Sequence, residues 1–314
     1  MATLQEWVSL YLRHLEVRNY SPQTISSTEW RLKPFLAFLE SKGIKDPNSI
    51  TVEIVRNYQT YLFYYINAKG KQNSVGYRNI QLLYVKYYLR YLYAEKAIKE
   101  DPGENVELAR APKRLPRYIL TETEVQRFLD SPDKTTVLGY RDKTILEILY
   151  SNGIRRSELL NLKLQDIDLS EEVIRINSGK GGKDRIVPIG KIACQCLKRY
   201  LTQIRPYMVR DSTNEYVFLS REGNRVSKSM LGLRIKRYAK EAGIEKNVTP
   251  HTLRATCATH CIQGKNQREQ MHPRYVMELL GHASLEALNP YLSVSIVDLK
   301  EAHRRCHPRE KKKG

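Results

Sequence analysis

No regular element can run through Ala111-Pro112-Lys113-Arg114-Leu115-Pro116-Arg117. Each proline lacks a backbone N–H and biases the residue before it towards an extended conformation, so this basic stretch reads as a connector. With 314 residues in all, the chain on either side is long enough to build its own hydrophobic core. Residues 1–105 are assigned to a first domain, 106–117 to the linker, and 118–314 to a second domain with a charged C-terminal tail.

The first domain reads as helices only, with no sustained strand-type alternation. One helix is expected from Leu4 to Leu15. A second starts after Ser21-Pro22, where Ser caps and Pro suits the first turn, and ends near Gly43. A third starts at Thr51, and a fourth runs from Ser74 to about Glu95. On this last helix Ile80, Leu83, Tyr84, Tyr87 and Tyr91 fall at helical spacing and are assigned to the core. Asp101-Pro102-Gly103 closes the helical half.

Thr121 and Glu124 form a capping box that opens the second domain, and a helix from Val137 to Tyr150 stops at Gly153. Arg155 and Glu158 are placed in the next helix. The pattern then changes to two short strands, Val173–Ile176 and Arg185–Ile189, around the turn Gly179-Lys180-Gly181-Gly182. Residues 191–207, 227–242, 251–263 and 273–280 read as helices, and 304–314 as too charged to pack. The expected class is mainly α with a small β-sheet (α+β).

The chain carries 53 Lys and Arg against 34 Asp and Glu, a net charge of +19. Such a surface suits a polyanion: a duplex presents one negative charge per roughly 1.7 Å, and binding releases counterions. There is no long uncharged apolar run, and the five cysteines do not form a spaced disulfide framework. A cytoplasmic protein that avoids membranes is expected. Cys257, Cys261, His251 and His260 would all come from one helix, which cannot surround a tetrahedral ion, so no metal site is assigned.

Phosphodiester cleavage needs charge neutralisation at two non-bridging oxygens, an in-line nucleophile, and a proton for the departing oxygen. No acidic cluster has metal-site spacing, so the cations must be side chains. Four segments offer them. In Gly153-Ile154-Arg155-Arg156-Ser157-Glu158-Leu159, Arg155 can act as a phosphate fork held by Glu158, with Arg156 as its rival. Lys180 sits in a glycine turn, where an ammonium can serve as general acid. In Pro250-His251-Thr252-Leu253-Arg254, His and Arg share one face near a helix N-terminus, a favourable place for phosphate. The fourth is Leu280-Gly281-His282, followed nine positions later by Tyr291.

In order and spacing these segments resemble the tyrosine recombinase (phage integrase) family, especially its Xer-like and mobile-element members. The resemblance extends over almost the whole chain and includes Gly179-Lys180-Gly181-Gly182-Lys183-Asp184-Arg185 and Glu278-Leu279-Leu280-Gly281-His282-Ala283-Ser284-Leu285. It implies an N-terminal helical core-binding (SAM-like) domain and a C-terminal catalytic domain that clamp duplex DNA. It further implies that Arg155 and Arg254 grip the scissile phosphate, Lys180 protonates the leaving 5′ oxygen, and His251 assists proton transfer. His282 would hydrogen-bond the phosphate, and Tyr291 would form a 3′-phosphotyrosine. No cofactor is implied. The partners would be specific duplex sites, three further copies in a tetramer on two sites, and in some systems a second recombinase or accessory protein.

Some positions depart from the family pattern. Ala255 stands where a second His usually follows the arginine, residues 265–272 look inserted, and Pro290 directly precedes Tyr291. Ile296, Leu299 and Ala302 resemble a C-terminal helix that docks on a neighbour or packs in cis. Two other functions share the same surface chemistry: a type IB topoisomerase-like relaxing enzyme and a non-catalytic DNA-binding protein. Neither integration, excision nor dimer resolution is singled out, and the DNA site is not readable.

Overall fold

A computed structural model describes residues 3–68, 70–110, 118–177, 184–264 and 270–281. The chain divides into two compact units, Met1–Lys113 and Arg114–Gly314. The first contains α1 (Leu4–Val17), α2 (Pro22–Ser41), α3 (Val52–Tyr64) and α4 (Val75–Ala94). Thr3, Ser21, Thr51 and Ser74 each cap the following helix by accepting a backbone N–H, so the helix starts follow local chemistry. Leu32, Phe35, Leu39, Val55, Tyr58, Leu82, Val85, Leu89 and Leu92 fill the core.

The core face of α4 differs from the expected one. Leu82, Val85, Tyr88, Leu89 and Leu92 are buried, whereas Ile80 and Tyr87 are exposed and Leu83, Tyr84 and Tyr91 only partly covered. α4 is apolar or aromatic around most of its circumference, so spacing supports two faces, and packing against α1, α2 and α3 selects between them. Residues 106–110, assigned above to the linker, are fastened to this unit. Val106 is buried, Lys86 Nζ donates to its carbonyl at 2.7 Å, and Asn79 exchanges hydrogen bonds with Ala109.

The second unit begins with α5 (Glu122–Asp130), which carries the expected Thr121–Glu124 capping box. α6 (Val137–Asn152) and the short α7 (Arg156–Asn161) follow. A three-stranded antiparallel sheet comprises β1 (Ile167–Asp168), β2 (Val173–Ile176) and β3 (Arg185–Pro188), in that order. Its register pairs Ile167 with Ile174 and Ile176 with Arg185. β1 was not expected, since two residues carry no periodicity.

The expected helix 191–207 is split. α8 (Lys191–Arg199) gives way to a π-helical stretch, Tyr200–Ile204, and a 3-10 turn, Arg205–Tyr207. Pro206 has no N–H for the carbonyl four residues earlier, so the regular ladder ends before it. α9 (Lys228–Glu241), α10 (Pro250–Gln263) and α11 (Pro273–Leu280) complete the described elements.

Candidate active site

The site is assembled from the ends of four elements. α6 closes at Gly153 in the left-handed region (φ 58°), and a Cβ there would stand 2.6 Å from Leu280 Cδ2 and 3.2 Å from Cys257 Sγ. Glycine is therefore required both for the backbone angle and for the close approach of α10 and α11. The chain then turns through Ile154 into Arg155, which caps α7 rather than lying inside it as expected. Glu158 Oε2 accepts from the Arg155 amide at 2.7 Å, and Oε1 accepts from Arg155 Nη1 at 2.6 Å.

α10 packs along α6 and brings the next two residues to the same place. Thr249 caps it by accepting from the Thr252 amide, leaving His251 exposed in the first turn and Arg254 buried one turn on. Arg254 donates through Nη1 to the Gly153 carbonyl and through Nη2 to the Leu280 carbonyl, both at 2.6 Å. Ala255, where the family usually has a histidine, is fully buried in a cluster with Ala258, Val276 and Leu280. A small residue there lets α10 and α11 pack closely.

A cavity of about 530 Å³ opens beside these groups, lined by Ile154, Arg155, Arg156, Ser157, Lys228, Thr249, Pro250, His251 and Arg254. Four formal cations and a histidine meet the N-terminus of a 14-residue helix here, an arrangement suited to a phosphate group. Glu158 sits behind them, its side chain 5 % exposed. Burial by itself would raise the Glu158 carboxyl. The hydrogen bonds from Arg185, the Arg155 amide and the Arg155 guanidinium together outweigh that effect and hold it at about 2.

The structure thus brings together Arg155, Glu158, His251 and Arg254. Lys180, His282 and Tyr291 lie outside the described residues. Arg185 and Lys228 were given no role from sequence. Lys228 lines the cavity, and Arg185 donates to both Glu158 oxygens. Arg185 lies 27 residues from Glu158, a distance that local spacing does not report. A second cavity, of about 630 Å³, includes Glu122, Asp130, Lys143 and Glu147 in its lining and gathers none of the predicted residues. Among the described residues no group of three or more His, Cys, Asp or Glu could hold a metal ion, and no helix is long and apolar enough to cross a membrane.

Comparison with known proteins gives the family. The model of the phage integrase family matches residues 118–296, and the chain belongs to this family of tyrosine recombinases. It is 35 % identical over 305 residues to "Tyrosine recombinase XerC 2" of Ralstonia nicotianae, covering 97 % of this chain and 86 % of that protein. It is 34 % identical over 294 residues to "Tyrosine recombinase XerD" of Listeria monocytogenes, covering 93 % and 95 % respectively. Among solved structures, XerA recombinase aligns with a TM-score of 0.52 at 28 % identity, over 97 % of this chain and 99 % of the other. The Tn1549 transposon integrase, solved with a circular intermediate DNA, aligns with a TM-score of 0.74 over 95 % and 99 %. At 18 % identity that second likeness speaks to fold alone.

Proposed function

We propose that this protein cuts and rejoins duplex DNA at specific sites, with Tyr291 as nucleophile. The observation that carries the proposal is the convergence of Arg155, His251 and Arg254 on one cavity at the N-terminus of α10, in a chain of this family. Arg155 and Arg254 neutralise the non-bridging oxygens of the scissile phosphate, and Glu158 holds Arg155 in place. The Tyr291 hydroxyl attacks phosphorus as His251 assists removal of its proton. The bond to the 5′ oxygen breaks, and Lys180 supplies the proton that the leaving oxygen takes. His282 hydrogen-bonds the phosphate. One phosphodiester is exchanged for a 3′-phosphotyrosine, so the bond energy is kept and a second strand end reverses the step without a cofactor.

The helical unit, residues 1–105 with the adjoining stretch, acts as the core-binding half, and the net charge of +19 supports a duplex partner. Four copies on two sites are the working assembly, in the cytoplasm, with a second recombinase or accessory protein where the site demands one. Solved structures of this fold include a lambda integrase tetramer bound to a Holliday junction, at 18 % identity.

The test uses nicked suicide duplexes from the flanks of the native gene, in chelator, with wild type and Tyr291→Phe on a denaturing gel. A covalent adduct lost in the variant is the expected result. An adduct that survives in Tyr291→Phe assigns the nucleophile elsewhere, and tight binding without any adduct marks a DNA-binding protein. Relaxation of plasmids that lack any matched site would instead indicate a topoisomerase.

A further inference from the structure

We infer that Arg185 is a positioning residue for the phosphate-gripping Arg155, a role that rests on the function proposed above. The Arg155 guanidinium donates to two acceptors: Nη1 to Glu158 Oε1 at 2.6 Å and Nη2 to the Gly281 carbonyl at 2.7 Å. Arg185 bonds the first of these acceptors directly and the helix end that carries the second. Its Nη1 and Nη2 donate end-on to the two Glu158 oxygens at 3.0 and 2.9 Å, which sets the plane of the carboxylate. Its Nε donates to the Leu279 carbonyl at 3.2 Å, which pins the end of α11 two residues before Gly281.

The fit between Arg185 and Gly281 is close. A Cβ at Gly281, itself at φ +64°, would stand 2.9 Å from Arg185 Cζ and 3.0 Å from Nε and Nη1. The absence of a side chain lets the guanidinium lie against the turn. Arg185 is 12 % exposed and Arg155 26 %, and Arg155 lines the cavity while Arg185 does not. Arg185 therefore acts on the phosphate only through Arg155. Lysine cannot replace it fully, because one ammonium cannot match both carboxylate oxygens and a separate carbonyl with the geometry of a planar fork.

The test is single-turnover adduct formation on the nicked suicide duplex with wild type, Arg185→Lys and Arg185→Gln, beside DNA affinity by fluorescence anisotropy. The expected result is an adduct rate constant about 10- to 100-fold lower at near-wild-type affinity and reaction amplitude, with the Lys variant between wild type and Gln. In an Arg155→Lys background the Arg185 substitutions lower the rate little further, since both act through one guanidinium. A purely structural role would lower the amplitude and leave the rate constant of the surviving molecules unchanged, and that outcome, or additivity with Arg155→Lys, overturns the inference.

A second readout needs no chemistry. Amide exchange in Arg185→Lys should accelerate together in peptides covering 153–161 and 273–281, and wild-type protection in both would overturn the link even if the DNA reaction is sound. Absence of any adduct from wild type would count against the proposed function, while the exchange result still decides the role of Arg185.

Discussion

Arg254, which lines the cavity, is tied to Gly153 behind it: Nη1 of the buried arginine donates to the glycine carbonyl at 2.6 Å, and the glycine has no space for a side chain. Gly153→Ala combines left-handed strain with a Cβ pressed against Leu280 and Cys257. The expected cost is about 2–4 kcal/mol of stability, measured by urea unfolding of the full chain, together with loss of adduct formation.

Arg254→Lys keeps the charge but cannot reach Gly153 and Leu280 with the same paired geometry. Cleavage of the suicide duplex should fall at least ~100-fold, with DNA affinity reduced far less. A loss of affinity with the rate constant at saturation unchanged would show that Arg254 contributes to ground-state binding alone.

Glu158 makes stability depend on pH in a defined window. Its carboxyl is held at about 2 in the folded protein against an ordinary value of 4.5. The unfolded chain therefore binds the proton more readily. The stabilisation, about 3 kcal/mol, is fully present above pH 4.5 and is lost as pH falls through 4.5 towards 2. Compared by denaturant unfolding, wild type and Glu158→Gln should differ most at neutral pH and converge in acid. A difference that stays constant over that range would show that the ionised carboxylate is not its source.

Asp142 is the centre of a buried network away from the cavity. Its Oδ1 accepts from Arg141 Nε and Nη2 at 2.9 and 2.7 Å, and its Oδ2 accepts from Arg234 Nη1 at 2.8 Å and the Tyr238 hydroxyl at 2.7 Å. Asp142→Asn leaves the fully buried Arg141 without its counter-charge. Unfolding measurements should show a loss of about 3–5 kcal/mol. At temperatures where the variant remains folded, the adduct rate constant should stay near wild type.

Much of this fold is readable from local chemistry. Ser21-Pro22, Ser74, Thr121 with Glu124, and Ser227 mark helix starts because each cap is a contact between residues three apart or fewer. The buried face of α4 was not readable, because Tyr84 and Tyr87 are as apolar as Tyr88 and only the neighbouring helices distinguish them. Pro206 marks where the regular ladder of 191–207 must end, but no local signal marks the earlier change of hydrogen-bond pattern at Tyr200. In the site, Arg155, Glu158, His251 and Arg254 stood out because each pair is three residues apart. The Arg185 contact joins a strand to a helix 27 residues away, and no periodicity reports it.

The carbonyls of Leu279, Leu280 and Gly281 are taken by Arg185, Arg254 and Arg155 respectively, so three guanidiniums from distant stretches of chain share one helix end. During synthesis the amino-terminal residues emerge first, and these three carbonyls at the end of α11 are made after all three arginines, whereas Gly153 and Glu158, their other acceptors, are already in place. A truncated or stalled chain ending before residue 279 carries the charge to bind nucleic acid but lacks this part of the scaffold that arranges it.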